Sequence, residues 1–128
     1  MASSSAGLHE PEASLDPATI DRHRALVSIQ EELEAVDWYG QRVDATADPS
    51  LAAVLAHNRD EEMEHAAMAI EWLRRNSPTF DQHLRTYLFT DDPITEIEAE
   101  AEGAATGGTG PRAGSLGIGS LRHAGGQR

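Results

Sequence analysis

The chain has 128 residues, of which 39% are hydrophobic and only 5% aromatic, so it has room for one domain with a modest core. Its formal net charge of -12, from 22 acidic and 10 basic residues, argues against binding to nucleic acid or to an anionic membrane surface. The lack of cysteine excludes disulfides and thiolate metal sites, which leaves carboxylate and imidazole groups as metal ligands. With neither a signal-peptide pattern nor an apolar run of about 20 residues, we expect a cytoplasmic protein.

Residues 1–15 are rich in Ser, Ala and Glu without helical periodicity, and we expect a flexible N-terminal segment. A capping residue followed by proline, the usual signal of a helix start, then occurs four times. The four signals are Asp16-Pro17, Asp48-Pro49, Ser77-Pro78 and Asp92-Pro93. They divide residues 16–102 into two long helical patterns, a short amphipathic helix and an acidic, weakly helical extension. The sequence therefore predicts an all-α domain, an antiparallel two-helix hairpin with a short C-terminal helix.

Ionisable residues interrupt the apolar stripes of both long helices. The stripe of the first helix, over about residues 17–46, contains Leu26, Ile29, Leu33, Val36 and Val43. That of the second, over about residues 49–76, contains Leu51, Val54, Leu55, Ala69, Trp72 and Leu73. Glu32 lies on the flank of the first stripe, and Glu62 and His65 lie at the centre of the second. Since a buried Glu or His without a partner is destabilising by several kcal/mol, these positions require a partner.

A metal ion would satisfy all three side chains. Glu62 and His65 are three residues apart, just under one helical turn, so they point the same way. The turn of the hairpin centres near Ala47, with Glu32 about fifteen residues before it and Glu62 about fifteen after, which places the two carboxylates level. We therefore predict that Glu32, Glu62 and His65 converge on a site suited to iron or manganese. Tyr39 is placed to lie beside it.

Three ligands are half of a di-iron site of the ferritin-like kind, which takes a Glu from each of two helices and a Glu-x-x-His from each of two others. A second hairpin would supply the missing half. The three residues lie near the midpoints of their helices, so a two-fold axis there would join two hairpins into a four-helix unit. Dimerisation would also cover the apolar face that a lone hairpin leaves open. The sequence thus predicts a dimer with a di-metal site shared between its chains.

The C-terminal region separates into two parts by composition. Residues 103–114 are a Gly-rich linker. Residues 115–128 form a tail that contains SLGIGSLR, in which Leu116, Ile118 and Leu121 return large apolar groups after the helical domain. Such a tail is typical of an anchoring peptide.

Four blocks of this sequence resemble the encapsulated ferritins: EELEAVDWY at 31–39, HNRDEEMEHAAM at 57–68, EWLRR at 71–75 and LRTYLFT at 84–90. The resemblance implies that Glu32, Glu62 and His65 are the ferroxidase ligands of a di-iron centre shared across a dimer interface, with Glu62 bridging the irons. It also implies an accessory metal site at Glu31 and Glu34, near Trp38, that guides iron inward. Five dimers are expected to close into a ring.

The tail is similar to the targeting peptides by which cargo proteins bind the inner wall of encapsulin shells, with Leu116, Ile118 and Leu121 as anchors. The implied function is oxidation of Fe(II) by oxygen inside the shell, which stores the iron. Two alternatives are kept. One is another di-metal oxidase or peroxidase, which uses manganese or hydrogen peroxide. The other is a non-enzymatic acidic cargo protein that binds iron without turnover.

Overall fold

The computed structural model describes residues 7–107, and these residues form one short 3-10 turn and four α-helices without a β-strand. The helices are α1 (Pro17–Ala45), α2 (Pro49–Arg75), α3 (Pro78–Tyr87) and α4 (Ile94–Gly107). The 3-10 turn, Glu12–Ser14, lies in the N-terminal segment. The prediction of an all-α fold is confirmed. Within the described residues, no helix is long and apolar enough to cross a membrane.

Capping residues begin the helices close to where the sequence predicts them. A carboxylate oxygen of Asp48 accepts hydrogen bonds from the backbone N–H groups of Ser50 and Leu51, at 2.9 and 3.4 Å. The hydroxyl of Ser77 accepts one from the N–H of Phe80 at 3.3 Å. These bonds satisfy amide groups that have no partner within the helix. Helix α4 begins one residue after Pro93 rather than at it.

Helices α1 and α2 form the predicted antiparallel hairpin, joined by the short connection at residues 46–48. The packing is close enough that a Cβ atom added to Gly40 would lie 3.9 Å from Cδ of Arg59 on the facing helix. Ala66 and Leu73 of α2 are buried. The hairpin aligns the middle of α1 with the middle of α2, which is where the candidate metal ligands lie.

The chain divides between Asn76 and Ser77 into two compact units, and the second contains α3 and α4. In this second unit, Ile97 is buried and the buried Thr86 hydroxyl donates to the carbonyl of Gln82 at 2.9 Å. Helix α4 continues to Gly107, five residues into the region that the sequence assigns to the linker. Ala104 and Ala105 favour helix strongly enough to extend it past Gly103, and the next proline comes only at position 111.

Candidate metal centre

The hairpin brings together the three side chains that the sequence selects. Glu32 projects from α1, and Glu62 and His65 project from α2. Nδ1 of His65 lies 3.3 Å from Oε1 of Glu62 and 3.7 Å from Oε2 of Glu32. One potential ligand atom from each residue lies within 4.8 Å of the other two. In the described part of the chain, these residues are the one group of three or more potential ligands that meets this distance.

The two carboxylates of the site are half-buried, and His65 is about half exposed. The side chains of Glu32 and Glu62 retain 26% and 25% of their accessible surface, against 49% for His65. Burial raises the pKa of Glu32, and a hydrogen bond with Glu62 and the negative charge of Glu62 raise it further, while His65 lowers it in part. Glu32 therefore keeps its proton to a higher pH than an ordinary carboxyl group. A cation between the two carboxyl groups would offset the repulsion between their negative charges.

The donor set fits a hard metal ion. Two carboxylates and one imidazole offer oxygen and nitrogen ligands, the combination that suits iron or manganese. Three protein ligands that converge from one side leave the other side of an ion for further ligands. The residues that follow the two glutamates in the sequence, Leu33 and Met63, are 52% and 49% exposed. The exposure of His65, at 49%, shows that the site is open to solvent on one side.

The other predicted site residues lie on α1 outside this cluster. Glu31, Glu34 and Trp38 are exposed, with Trp38 at 48%, so they form an outward-facing group and not part of the ligand trio. Tyr39 is half-buried, and Cζ of Arg42 lies 5.6 Å from the centroid of its ring. Sequence reasoning missed the contact of Arg42 with Tyr39, although a cation three residues after an aromatic residue on a helix would have indicated it.

His57 pairs with an acid on its own helix and does not join the trio. His57, which shows no convincing ligand spacing in the sequence, has Nε2 3.7 Å from Oε1 of Glu61 on the same helix. Both side chains are largely exposed, and the pair lies apart from the trio. The predicted tail anchors Leu116, Ile118 and Leu121 fall outside the described residues.

Several known proteins are similar to this chain in sequence, and one solved structure is similar to it in fold. A family model described as EncFtn-like matches residues 7–91. An encapsulated ferritin-like protein of Rhodospirillum rubrum is 62% identical over 129 residues, with 95% of this chain and 92% of the relative covered. A ferritin-like protein of Thermotoga maritima is 57% identical over 113 residues, which cover 88% of this chain and 96% of the relative.

A shorter match and a solved structure extend the comparison. The encapsulin nanocompartment cargo protein EncC of Myxococcus xanthus is 37% identical over 59 residues, 46% of this chain and 45% of the relative. The crystal structure of a protein from Nitrosomonas europaea superposes with a TM-score of 0.67 at 59% identity. That superposition covers 69% of this chain and 97% of the other.

Proposed function

The chain belongs to the EncFtn-like family, as the resemblance of its sequence to the encapsulated ferritins predicted, and we propose that it is a ferroxidase that oxidises Fe(II) with oxygen. The observation that carries this proposal is the convergence of Glu32, Glu62 and His65 within 4.8 Å. Both carboxylates come from the middle of the hairpin, where a second copy can approach. The proposed active form is a dimer in which two such trios hold two irons.

The exposed apolar surface of the two long helices supports an association of two hairpins. Large apolar residues of both helices are exposed in the single chain: Leu26, Leu33, Leu51, Val54, Met63 and Trp72, at 40% or more. Complete burial of a fully exposed Leu side chain stabilises by about 1.5–3 kcal/mol, and each of these partly covered side chains would contribute a fraction of that on burial. A second hairpin would cover this surface and add the second trio. We infer a two-fold dimer, and the family resemblance favours a ring of five such dimers.

The reaction depends on the pairing of two irons, because each Fe(II) supplies one electron to oxygen. The residues of the chain bind and orient this substrate. Glu32 and Glu62 would bind the cation as carboxylates, and their negative charges would offset its positive charge. His65 would supply a nitrogen ligand from the same turn of α2 as Glu62. We propose that Glu62 bridges the two irons and that Tyr39 lies beside the shared centre.

Iron would reach the site over the outward face of α1. Glu31, Glu34 and Trp38 lie on that face and are exposed, and the chain as a whole carries a charge of -12, which concentrates cations near its surface. We propose that Glu31 and Glu34 form an accessory site for incoming iron. Their exposure favours weak, exchangeable binding over a permanent metal site.

The compartment in this proposal is an encapsulin shell. Relatives of this chain include an encapsulated ferritin-like protein and an encapsulin nanocompartment cargo protein, and the apolar groups of the tail resemble a targeting peptide. A variant without residues 115–128 should oxidise Fe(II) normally but should no longer be recovered inside shells when both proteins are co-expressed. Full encapsulation of the truncated chain would refute the role of the tail.

Aerobic oxidation of Fe(II), followed by the absorbance of the ferric product, tests the activity and separates it from the alternatives. The ferroxidase proposal requires repeated turnover with oxygen as oxidant. Turnover with hydrogen peroxide or manganese alone would favour another di-metal oxidase or peroxidase. Saturable Fe(II) binding without oxidation above the buffer rate would favour a non-enzymatic iron-binding cargo protein.

A further inference from the structure

Arg42 lies one helical turn beyond Tyr39 on α1, and its guanidinium sits over the aromatic ring. Cζ of Arg42 is 5.6 Å from the ring centroid, within the distance at which a cation is attracted to the face of an aromatic ring. Residues three apart on a helix are surface neighbours, so the contact forms without any other element. Tyr39 is half-buried and Arg42 is exposed, so the guanidinium is the outer member of the pair.

The partner of Arg42 distinguishes it from the other arginines. In residues 7–107, ion pairs with Asp or Glu hold Arg24, Arg59, Arg74, Arg75 and Arg85, and Arg22 donates to the hydroxyl of Thr19 at 3.3 Å. The guanidinium of Arg42 instead stacks on the ring of Tyr39. Arg42 also lines, with Trp38 and Gln41, a shallow groove of about 300 Å³. Its side chain is therefore placed by aromatic neighbours and not by an acid.

Tyr39 shares a face of α1 with the metal ligand Glu32. The two residues are seven apart, which at about 100° per residue brings them within about 20° of the same direction, with about 10.5 Å between them along the axis. The χ1 and χ2 torsions of a tyrosine at this position can adopt several rotamers unless a contact restricts them to one. The stacked guanidinium is the group in position to do so.

We infer that Arg42 is a positioning residue for Tyr39, which holds the phenol ring in one orientation on the ligand-bearing face of α1. The effect on iron oxidation rests on the proposed function, whereas the contact itself does not. A competing explanation is that Arg42, the basic residue in the last turn of α1, stabilises only the negative end of the helix dipole. Lysine would fill that role as well as arginine, but it lacks the planar group that stacks on a ring.

The test uses a Tyr87→Phe background, in which Tyr39 is the one remaining tyrosine of the chain. Ultraviolet resonance Raman spectra of tyrosine and the kinetics of Fe(II) oxidation are compared for Arg42→Gln, Arg42→Lys and the matched control Arg24→Gln. Arg42→Gln should shift the Tyr39 ring bands and lower kcat about two- to five-fold, the range of an exposed cation–π contact, with KM for Fe(II) unchanged. Arg42→Lys should be intermediate, and Arg24→Gln should match the parent.

Each contrary result overturns a definite part of this inference. Unshifted ring bands in Arg42→Gln would refute the contact, whatever the activity. Shifted bands with an unchanged kcat would refute the positioning role and leave the ferroxidase proposal intact. Full activity and parental bands in Arg42→Lys would favour the helix-dipole explanation. If the wild-type chain itself fails to oxidise Fe(II), the proposed function fails and the effect of Arg42 on oxidation with it, whereas the ring bands still test the contact.

Discussion

Helix α2 contributes a glutamate to each of two clusters, and the pKa of a carboxyl group is lowered in one cluster and raised in the other. Glu71 is ion-paired within its own helix. Arg74 donates to both of its carboxylate oxygens at 2.8 Å, and Arg75 donates to one of them at 2.7 Å. These hydrogen bonds from Arg74 and Arg75 lower the pKa of Glu71 to about 2. Nine residues earlier, Glu62 faces another acid, Glu32, whose pKa is raised by burial and by that neighbour.

The comparison shows what separates a structural acid from a metal ligand on the same helix. The one carboxylate of Glu71 faces two guanidinium groups, so its negative charge is fully compensated. The cluster at Glu62 has two carboxylates and one half-exposed imidazole, so it lacks positive charge. A divalent cation would supply that charge. The difference lies in the neighbours and not in the residue type.

The largest expected effect is on the rate of Fe(II) oxidation, which should depend on Glu62 and not on Glu71. Glu62→Ala should lower the initial rate of Fe(II) oxidation by more than the 10- to 100-fold that loss of a group behind a ligand typically causes. Glu71→Ala is the matched control on the same helix and should retain the wild-type rate within about two-fold, since Glu71 forms its ion pairs with Arg74 and Arg75 and is not one of the proposed ligands. The absorbance of the ferric product measures both rates. Equal rates for Glu62→Ala and wild type would show that the trio is not the reaction centre.

A smaller effect is expected on the thermal stability of the metal-free protein. Replacing the acid by its amide should change Tm in opposite directions in the two clusters. Glu71, with a lowered folded pKa, stabilises the fold above about pH 4.5, and this contribution is lost as the pH falls toward about 2. Glu32, with a raised folded pKa, favours the fold when protonated, and this contribution is lost as the pH rises through that pKa. At neutral pH, Glu32→Gln should therefore raise Tm, and Glu71→Gln should lower it.

Thermal unfolding in the presence of a chelator measures both shifts. Because Glu71 is exposed to solvent, its shift should be a few degrees at most. The difference between Glu71→Gln and wild type should shrink as the pH falls from 4.5 toward about 2. A lower Tm for Glu32→Gln at neutral pH would mean that the acid pair stabilises the metal-free hairpin, contrary to the comparison.

The smallest effect should come from a substitution outside both clusters. A methyl group at Gly40 would make only an ordinary contact with Cδ of Arg59, at 3.9 Å, so alanine fits without a clash. Gly40→Ala should stabilise α1 by about 0.5–1 kcal/mol, the usual gain in a helix interior. Urea denaturation measures the gain, and the oxidation rate should stay unchanged. Destabilisation would indicate that the hairpin needs a closer approach at Gly40 in its assembled form.

The sequence predicts the hairpin and the trio because both follow from spacing. Capping residues such as Asp48 mark the helix starts, and the position of the turn sets Glu32 level with Glu62. It does not predict the continuation of α4 to Gly107, because glycines in the linker composition mask the helix-forming alanines. Nor does it predict the stacking of Arg42 on Tyr39 or the interaction of Glu32 with Glu62 across the hairpin, because both depend on side-chain conformations that residue spacing does not determine.

The central claim is that two copies of this hairpin share one di-iron site, and anaerobic Fe(II) titration followed by native mass spectrometry tests it most directly. The account predicts dimers or multiples of dimers with two tightly bound irons per dimer, and loss of both irons in Glu62→Ala but not in Glu71→Ala. Iron bound to single chains, or an unchanged iron content in Glu62→Ala, would contradict it.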